Sequence, residues 1–301
     1  MIKFIDFNRK YLRYKKEINN SVERVFKQGW FIAGPERDDF ERNFSKYLGA
    51  KYAIGVNSGT DSLALALRAI GIKPGDEVIT VSHTATPTVS AIRITGAKPV
   101  FVDIDKNTFN IDPKLIEEKI TSKTKAILPV HLYGYPADTD FICKLATKYN
   151  LYVVEDSCQA HGAKFKGKFL GAIGDVGCFS FYPTKNLGAF GDAGIIVTNN
   201  RKIAETARLL RNFGEVSKYK NKIEGVNSGM DEIQASFLSW ELPELKKWNK
   251  ERKKLADIYS RELWGLPIVL PPKGDSDHER VWHLFVIQTT KRDELRNFLK
   301  N

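Results

Sequence analysis

Val153-Val154-Glu155-Asp156-Ser157-Cys158-Gln159-Ala160-His161 runs from two β-branched residues through paired acids into a polar turn. The apolar pair belongs to a short buried strand predicted over 152–155. Asp156 then stands at the carboxyl end of that strand, where open α/β sheets bind their ligands. Upstream, the runs 78–81, 100–102 and 126–130 have the same apolar, β-rich texture. Between the runs, 86–94, 113–120 and 138–149 carry apolar residues at helical spacing. Asp112-Pro113 adds a helix start, an N-cap followed by proline in the first turn. Short buried strands separated by helices predict an α/β fold, a mostly parallel sheet flanked by helices.

Downstream, 178–181 and 195–198 read as further strands and 201–211 as a helix. After Gly225 the texture changes. A helical stretch runs from Asp231 to about Leu263, with Pro243 marking a kink or break. A Pro/Gly-rich loop follows, then an expected strand over 281–289 and a terminal helix from Arg292. These signals divide the chain into a large domain, 1–243, and a smaller α+β portion, 244–301.

The 301 residues are 42% hydrophobic and 28% charged, a soluble globular balance long enough to bury a real core. No apolar run approaches the roughly 18–20 residues that span a bilayer, and charges interrupt the first ten residues. The expectation is a cytoplasmic protein with no membrane partner. Cys143, Cys158 and Cys178 form no CxxC pair, so neither a disulfide framework nor a metal site is expected. The net charge is +11, but the lysines and arginines are dispersed, which argues against a nucleic-acid partner. A basic field also serves an anionic small substrate.

Three segments carry chemistry. Asn57-Ser58-Gly59-Thr60-Asp61-Ser62 opens a helical run, and its free backbone N–H groups suit either a plain cap or a phosphate. Neither GxGxxG nor GxxxxGK[ST] occurs, which removes support for dinucleotide and P-loop readings. Asp156 suits either a helix cap or a partner for a protonated ring nitrogen, and His161 either a core position or a ligand contact. Ser180-Phe181-Tyr182-Pro183-Thr184-Lys185-Asn186-Leu187-Gly188 puts a lysine in a turn after an apolar strand. Taken alone it is an exposed loop lysine or a nucleophilic amine of the kind that forms a Schiff base. Together, a phosphate cradle, an acid and a downstream lysine are the parts a pyridoxal-phosphate site needs.

On these segments the chain resembles the DegT/DnrJ/StrS nucleotide-sugar aminotransferases, within the fold-type I pyridoxal-phosphate (PLP) enzymes. The likeness extends through Gly34-Pro35-Glu36, Pro74-Gly75-Asp76-Glu77, Lys98-Pro99-Val100-Phe101, Pro129-Val130-His131-Leu132-Tyr133-Gly134 and Asp231-Glu232-Ile233-Gln234-Ala235. The resemblance implies a seven-stranded, mostly parallel sheet and a homodimer with shared active sites. It also implies roles. Lys185 holds the cofactor and moves protons, Asp156 pairs with the ring nitrogen, and Gln159 meets the ring hydroxyl. Gly59, Thr60 and Ser180 bind the phosphate, which Asn227 of the partner subunit also reaches. His161, Tyr182 and the 30–34 loop with Phe31 are weaker candidates for sugar contacts. The implied reaction moves an amino group from glutamate to a nucleotide-linked keto sugar.

The stretch Val81-Ser82-His83-Thr84-Ala85-Thr86-Pro87-Thr88 departs from the common pattern: Ala85 stands where many members carry an aromatic over the ring, and His83 is the candidate replacement. The variation resembles the subgroup acting on carbon 3 of a dTDP-3-keto-6-deoxyhexose; the alternative is a 4-keto sugar on dTDP or UDP. Gly229 stands where relatives carry arginine, and relatives run on beyond position 301, which implies a partial small domain. These departures keep open a truncated, inactive regulatory or binding protein. A sugar dehydratase of the same fold would carry histidine in place of Lys185.

Overall fold

The computed structural model describes residues 5–300. Seven strands form the central sheet: β1 (Tyr52–Val56), β2 (Glu77–Val81), β3 (Lys98–Val102), β4 (Thr124–Ile127), β5 (Tyr152–Asp156), β6 (Val176–Ser180) and β7 (Gly194–Thr198). Their order is β1-β7-β6-β5-β4-β2-β3. β7 runs antiparallel to both its neighbours, β1 and β6, and the other pairings are parallel.

Both faces of the sheet are covered, and the side-chain alternation of β7 shows it. Ile196 joins the apolar cluster that contains Leu63, Ile92 and Ile203, whereas Ile195 and Val197 join the cluster of Phe40, Phe44, Phe179 and Leu238. Each large apolar side chain taken out of water in this way stabilises by roughly 1.5–3 kcal/mol. The two layers supply the helix Gly59–Ala69 on one side and Pro35–Leu48 with Glu232–Glu241 on the other. No helix among the described residues is long and apolar enough to cross a membrane.

Two expectations change. The helix expected over 113–120 is two single 3-10 turns, Pro113–Leu115 and Glu117–Lys119. Asp112 caps the first, but only Ile116 is fully buried in this segment. One buried residue cannot offset the cost of nucleating a helix this short. The strand expected over 281–289 does not form. Val281 N–H bonds to Gly134 O, the Trp282 and His283 carbonyls accept from the Arg252 guanidinium, and only Gln288 pairs as a strand residue would, in an isolated antiparallel bridge to Val269 (2.8 and 3.0 Å). Strand β1 carries a weak sequence signal, because Gly55 interrupts its apolar run. The helical stretch after Asp231 does break at Pro243, into Glu232–Glu241, a 3-10 turn and Leu245–Glu262.

Candidate active site

β5 ends at Asp156, whose backbone is tied to the neighbouring chain by Asp156 N–H to Pro129 O (2.9 Å) and His131 N–H to Asp156 O (3.0 Å). Strand alternation sends Glu155 and Asp156 to opposite faces. Asp156 is 4% exposed. Its Oδ2 accepts from Thr88 Oγ1 at 2.8 Å and its Oδ1 from Cys158 N–H at 3.2 Å. Thr88 lies in the helix Thr86–Ile94, and its hydroxyl meets that of Thr84 at 2.8 Å.

The helix Gly59–Ala69 starts at the same edge of the sheet. Ser58 caps it by accepting from Asp61 N–H (3.1 Å), which leaves first-turn N–H groups without intrahelical partners. A Cβ on Gly59 would lie 2.4 Å from Ser180 Cβ, so only glycine lets the helix start approach β6 this closely.

Lys185 sits in the turn after β6. Its N–H donates to Tyr182 O (2.8 Å), and Ala189 N–H closes the turn on Phe181 O (2.8 Å). Asn186 Nδ2 donates to Asn249 Oδ1 (2.9 Å), Asn249 Nδ2 donates to His161 O (2.9 Å), and His283 Nδ1 lies 3.3 Å from Asn186 Oδ1. Burial, reinforced by the Lys185 charge, pushes the His161 and His283 imidazoles down to about 3. The lysine turn is therefore backed by two uncharged rings. His161 packs against Phe179 and Phe181. Neither of its nitrogens has a well-formed hydrogen bond; the backbone of Ser180 is the polar group that approaches it.

These elements enclose a cavity of about 240 Å³. Of the residues singled out in the sequence, Gly59, Thr60, Asp156, Gln159, Ser180, Tyr182 and Lys185 line it. Gln159 Oε1 accepts from Tyr133 N–H (2.9 Å), which leaves its amide nitrogen as a donor. His83 lines an adjoining depression instead, with its ring 5.6 Å from that of Phe109. His161 lies buried behind the lysine turn. Phe31 is exposed and packs edge-on against Phe26, and Asn227 is exposed in a bridge to Asn212. A larger cavity, about 630 Å³, borders the turn at Thr184, but apolar groups dominate it and it holds no carboxylate.

Four residues escaped the sequence reading: Thr88, Asn186, Asn249 and His283. Thr88 had a signal, a hydroxyl one residue after Pro87 in a helix's first turn. Asn186 lies in the quoted segment beside Lys185, but its partners are long-range; Asn249 and His283 are brought to the site by tertiary packing, and nothing local marks them.

A cofactor with a phosphate, a basic ring nitrogen and an aldehyde finds its counterparts here: the glycine-only helix start, the buried carboxylate held open by donors, and the lysine amine. The residues fit pyridoxal phosphate. A mostly parallel α/β sheet with these groups in one cavity defines a fold-type I, PLP-dependent aminotransferase.

Residues 13–301 match the DegT/DnrJ/EryC1/StrS aminotransferase family, and the chain belongs to that family. It is 50% identical over 299 residues to the dTDP-3-amino-3,6-dideoxy-alpha-D-galactopyranose transaminase of Aneurinibacillus thermoaerophilus, across 99% of this chain and 82% of that one. It is 46% identical over 298 residues to the dTDP-3-amino-3,4,6-trideoxy-alpha-D-glucose transaminase of Streptomyces venezuelae, across 99% and 79%. Among solved structures, S. venezuelae DesV in complex with a ketimine intermediate aligns with a TM-score of 0.96 at 46% identity, over 99% of this chain and 81% of that one.

Proposed function

We propose that the protein transfers the amino group of glutamate to carbon 3 of a dTDP-linked 3-keto-6-deoxyhexose, giving 2-oxoglutarate and the 3-amino sugar. The observation that carries the reading is the placement of Lys185 and Asp156 in one cavity facing the start of the helix Gly59–Ala69. The choice of carbon and nucleotide rests on the two transaminases at 46% and 50% identity, both of which bear names of dTDP-3-amino sugars.

Bound pyridoxal phosphate supplies a carbonyl that carries the amino group and a ring that takes up electrons from the reacting carbon. The chain supplies the rest. Gly59, Thr60 and Ser180 hold the phosphate through N–H groups and hydroxyls. Asp156 keeps a proton on the ring nitrogen, and the Gln159 amide donates to the ring hydroxyl. Lys185 Nζ takes a proton from the amino-bearing carbon of glutamate and, in the second half-reaction, delivers one to carbon 3 of the sugar. Tyr182 stands at the mouth, half exposed, where the sugar enters, with His83 and Phe31 further out. Asn227 of the partner subunit completes the phosphate site in a homodimer.

The test is a panel of dTDP- and UDP-linked 3-keto and 4-keto sugars offered with glutamate, products read by mass and NMR, alongside visible absorbance of the protein with added cofactor. The expected result is a 3-amino dTDP sugar, and a visible band that Lys185→Ala abolishes. A protein that stays colourless with added pyridoxal phosphate overturns the reading, and amination only at carbon 4 overturns the choice of substrate.

A further inference from the structure

The carboxylate of Asp156 is not merely buried; it is aimed. The Thr88 hydroxyl, 1% exposed, reaches Oδ2 at 2.8 Å, and Cys158 N–H reaches Oδ1 at 3.2 Å. An ionised carboxylate only accepts, so the Thr88 hydroxyl donates its single proton to Asp156. The Thr88 oxygen is then free to accept, and the Thr84 hydroxyl at 2.8 Å is the donor. The result is a one-way chain, Thr84 to Thr88 to Asp156, in which each bond polarises the next. Both threonines and Asp156 line the cavity, and Pro87, the residue before Thr88, fixes the first turn of the helix Thr86–Ile94.

We propose that Thr88, backed by Thr84, is a positioning residue that holds Asp156 in the rotamer required to grip the ring nitrogen of the cofactor. The proposal rests on the reading of Asp156 given above. It assigns work to the stretch 84–88, of which Thr84, Ala85, Pro87 and Thr88 line the same cavity as Asp156. Thr88→Val keeps the volume and removes the donor. One oxygen of a buried carboxylate then lacks its partner, and Asp156 is free to rotate.

The experiment measures the dissociation constant of pyridoxamine phosphate by equilibrium dialysis, together with kcat and sugar KM, for the wild type, Thr88→Val, Thr88→Ser, Thr84→Val and Asp156→Asn. Thr88→Val is expected to weaken cofactor binding by about tenfold and to lower kcat by about tenfold, the scale of one lost hydrogen bond to a charged group. Sugar KM should stay within about twofold. Thr88→Ser restores the donor and should recover both values to within about threefold, and Thr84→Val should show a smaller loss of the same kind. Wild-type cofactor binding in Thr88→Val, with Asp156→Asn clearly impaired, overturns the proposal and leaves the reading of Asp156 standing. Equal damage from Thr88→Val and Thr88→Ser also overturns it, because it makes the effect one of packing. If Asp156→Asn itself binds the cofactor as the wild type does, the underlying reading has failed and the proposal falls with it.

Discussion

His131 Nε2 and Glu155 Oε2 meet at 3.0 Å where both side chains are fully buried, one residue before Asp156. His131 Nδ1 accepts from Ala137 N–H (3.1 Å), so the ring proton resides on Nε2 and is donated to Glu155. Glu155 also accepts from the N–H groups of Gly171, Ile173 and Gly174 at 2.7–2.9 Å. Burial alone would raise its carboxyl, but the bond from His131 and the backbone donors outweigh it and leave the group below the usual glutamate range. This pair fixes the end of β5 from the face opposite Asp156. Glu155→Ala, which strands four donors, should cost about 3–5 kcal/mol, as breaking a buried polar pair does. Glu155→Gln should cost less, about 1–3 kcal/mol, since one oxygen keeps its two N–H partners. Because the folded carboxyl is depressed, its stabilisation is present above the ordinary glutamate range and fades as the pH falls through the folded value. Denaturant unfolding at neutral pH checks the order, and equal stability of the Ala variant and wild type would remove the pair from this role.

Gly59→Ala tests the phosphate cradle. The new methyl would sit 2.4 Å from Ser180 Cβ and 2.9 Å from its Oγ. Either the helix start or β6 must move, at a cost of about 1–3 kcal/mol for overpacking. The same displacement opens the anion site, so cofactor affinity should fall by more than tenfold while the sheet stays folded. Circular dichroism and cofactor dialysis separate the two effects. Unchanged affinity in a folded Gly59→Ala protein would place the phosphate elsewhere.

The turn that carries Lys185 is also held from the amino-terminal side. Lys10 Nζ donates to Gly188 O (3.0 Å) and lies 2.7 Å from Glu241 Oε1. The ammonium is off the favoured direction, so this contact is an ion pair without a well-aligned hydrogen bond. Burial pushes the Glu241 carboxyl up to about 7, with Lys10 pulling the other way. A folded value raised above the unfolded one means that the stabilisation is complete at low pH and is lost as the pH rises through about 7. The full effect is worth roughly 3 kcal/mol. Glu241→Gln removes that slope. Relative to wild type, the variant should gain stability between about pH 5.5 and about pH 8. A wild-type–variant difference that is the same at both pH values would show that Glu241 does not titrate in this window.

Much of this was legible because the fold is written in local patterns. Buried parallel strands show as apolar runs, as at Val153-Val154, and Asp156 is visible as an acid at the end of one. Lys185 is conspicuous between proline and glycine. What the sequence hides is the set of contacts made across long separations. Asn249 reaches His161 and Asn186 from the helix Leu245–Glu262, and His283 arrives from a stretch read as a strand. That stretch is apolar enough for a strand, but its backbone groups go to Gly134, to Arg252 and, at Gln288 alone, to Val269, partners that no periodicity can announce. The same limit applies to 113–120, where a good cap precedes too little apolar surface to sustain a helix.

The surroundings of Gly229 say whether the backbone there demands glycine. It pairs with Val56 in an isolated antiparallel bridge, beside Ser228, whose hydroxyl donates to Asp61 Oδ2 at 2.7 Å. Its φ is not in the left-handed region, and a Cβ placed on it meets nothing within 4 Å. Neither strain nor overlap therefore opposes a side chain there. The loss of flexible glycine from the unfolded chain even favours a substitution by a few tenths of a kcal/mol, offset in part by ordering the longer side chain. Gly229→Arg should leave unfolding free energy within about 0.5 kcal/mol of wild type. The Ser228–Asp61 bond sits in the first turn of the helix that begins at Gly59, so cofactor affinity reports whether the arginine disturbs the cradle; no change beyond about twofold is expected. A loss of more than about 2 kcal/mol in denaturant unfolding would show that position 229 requires glycine for a reason the free space around it does not contain.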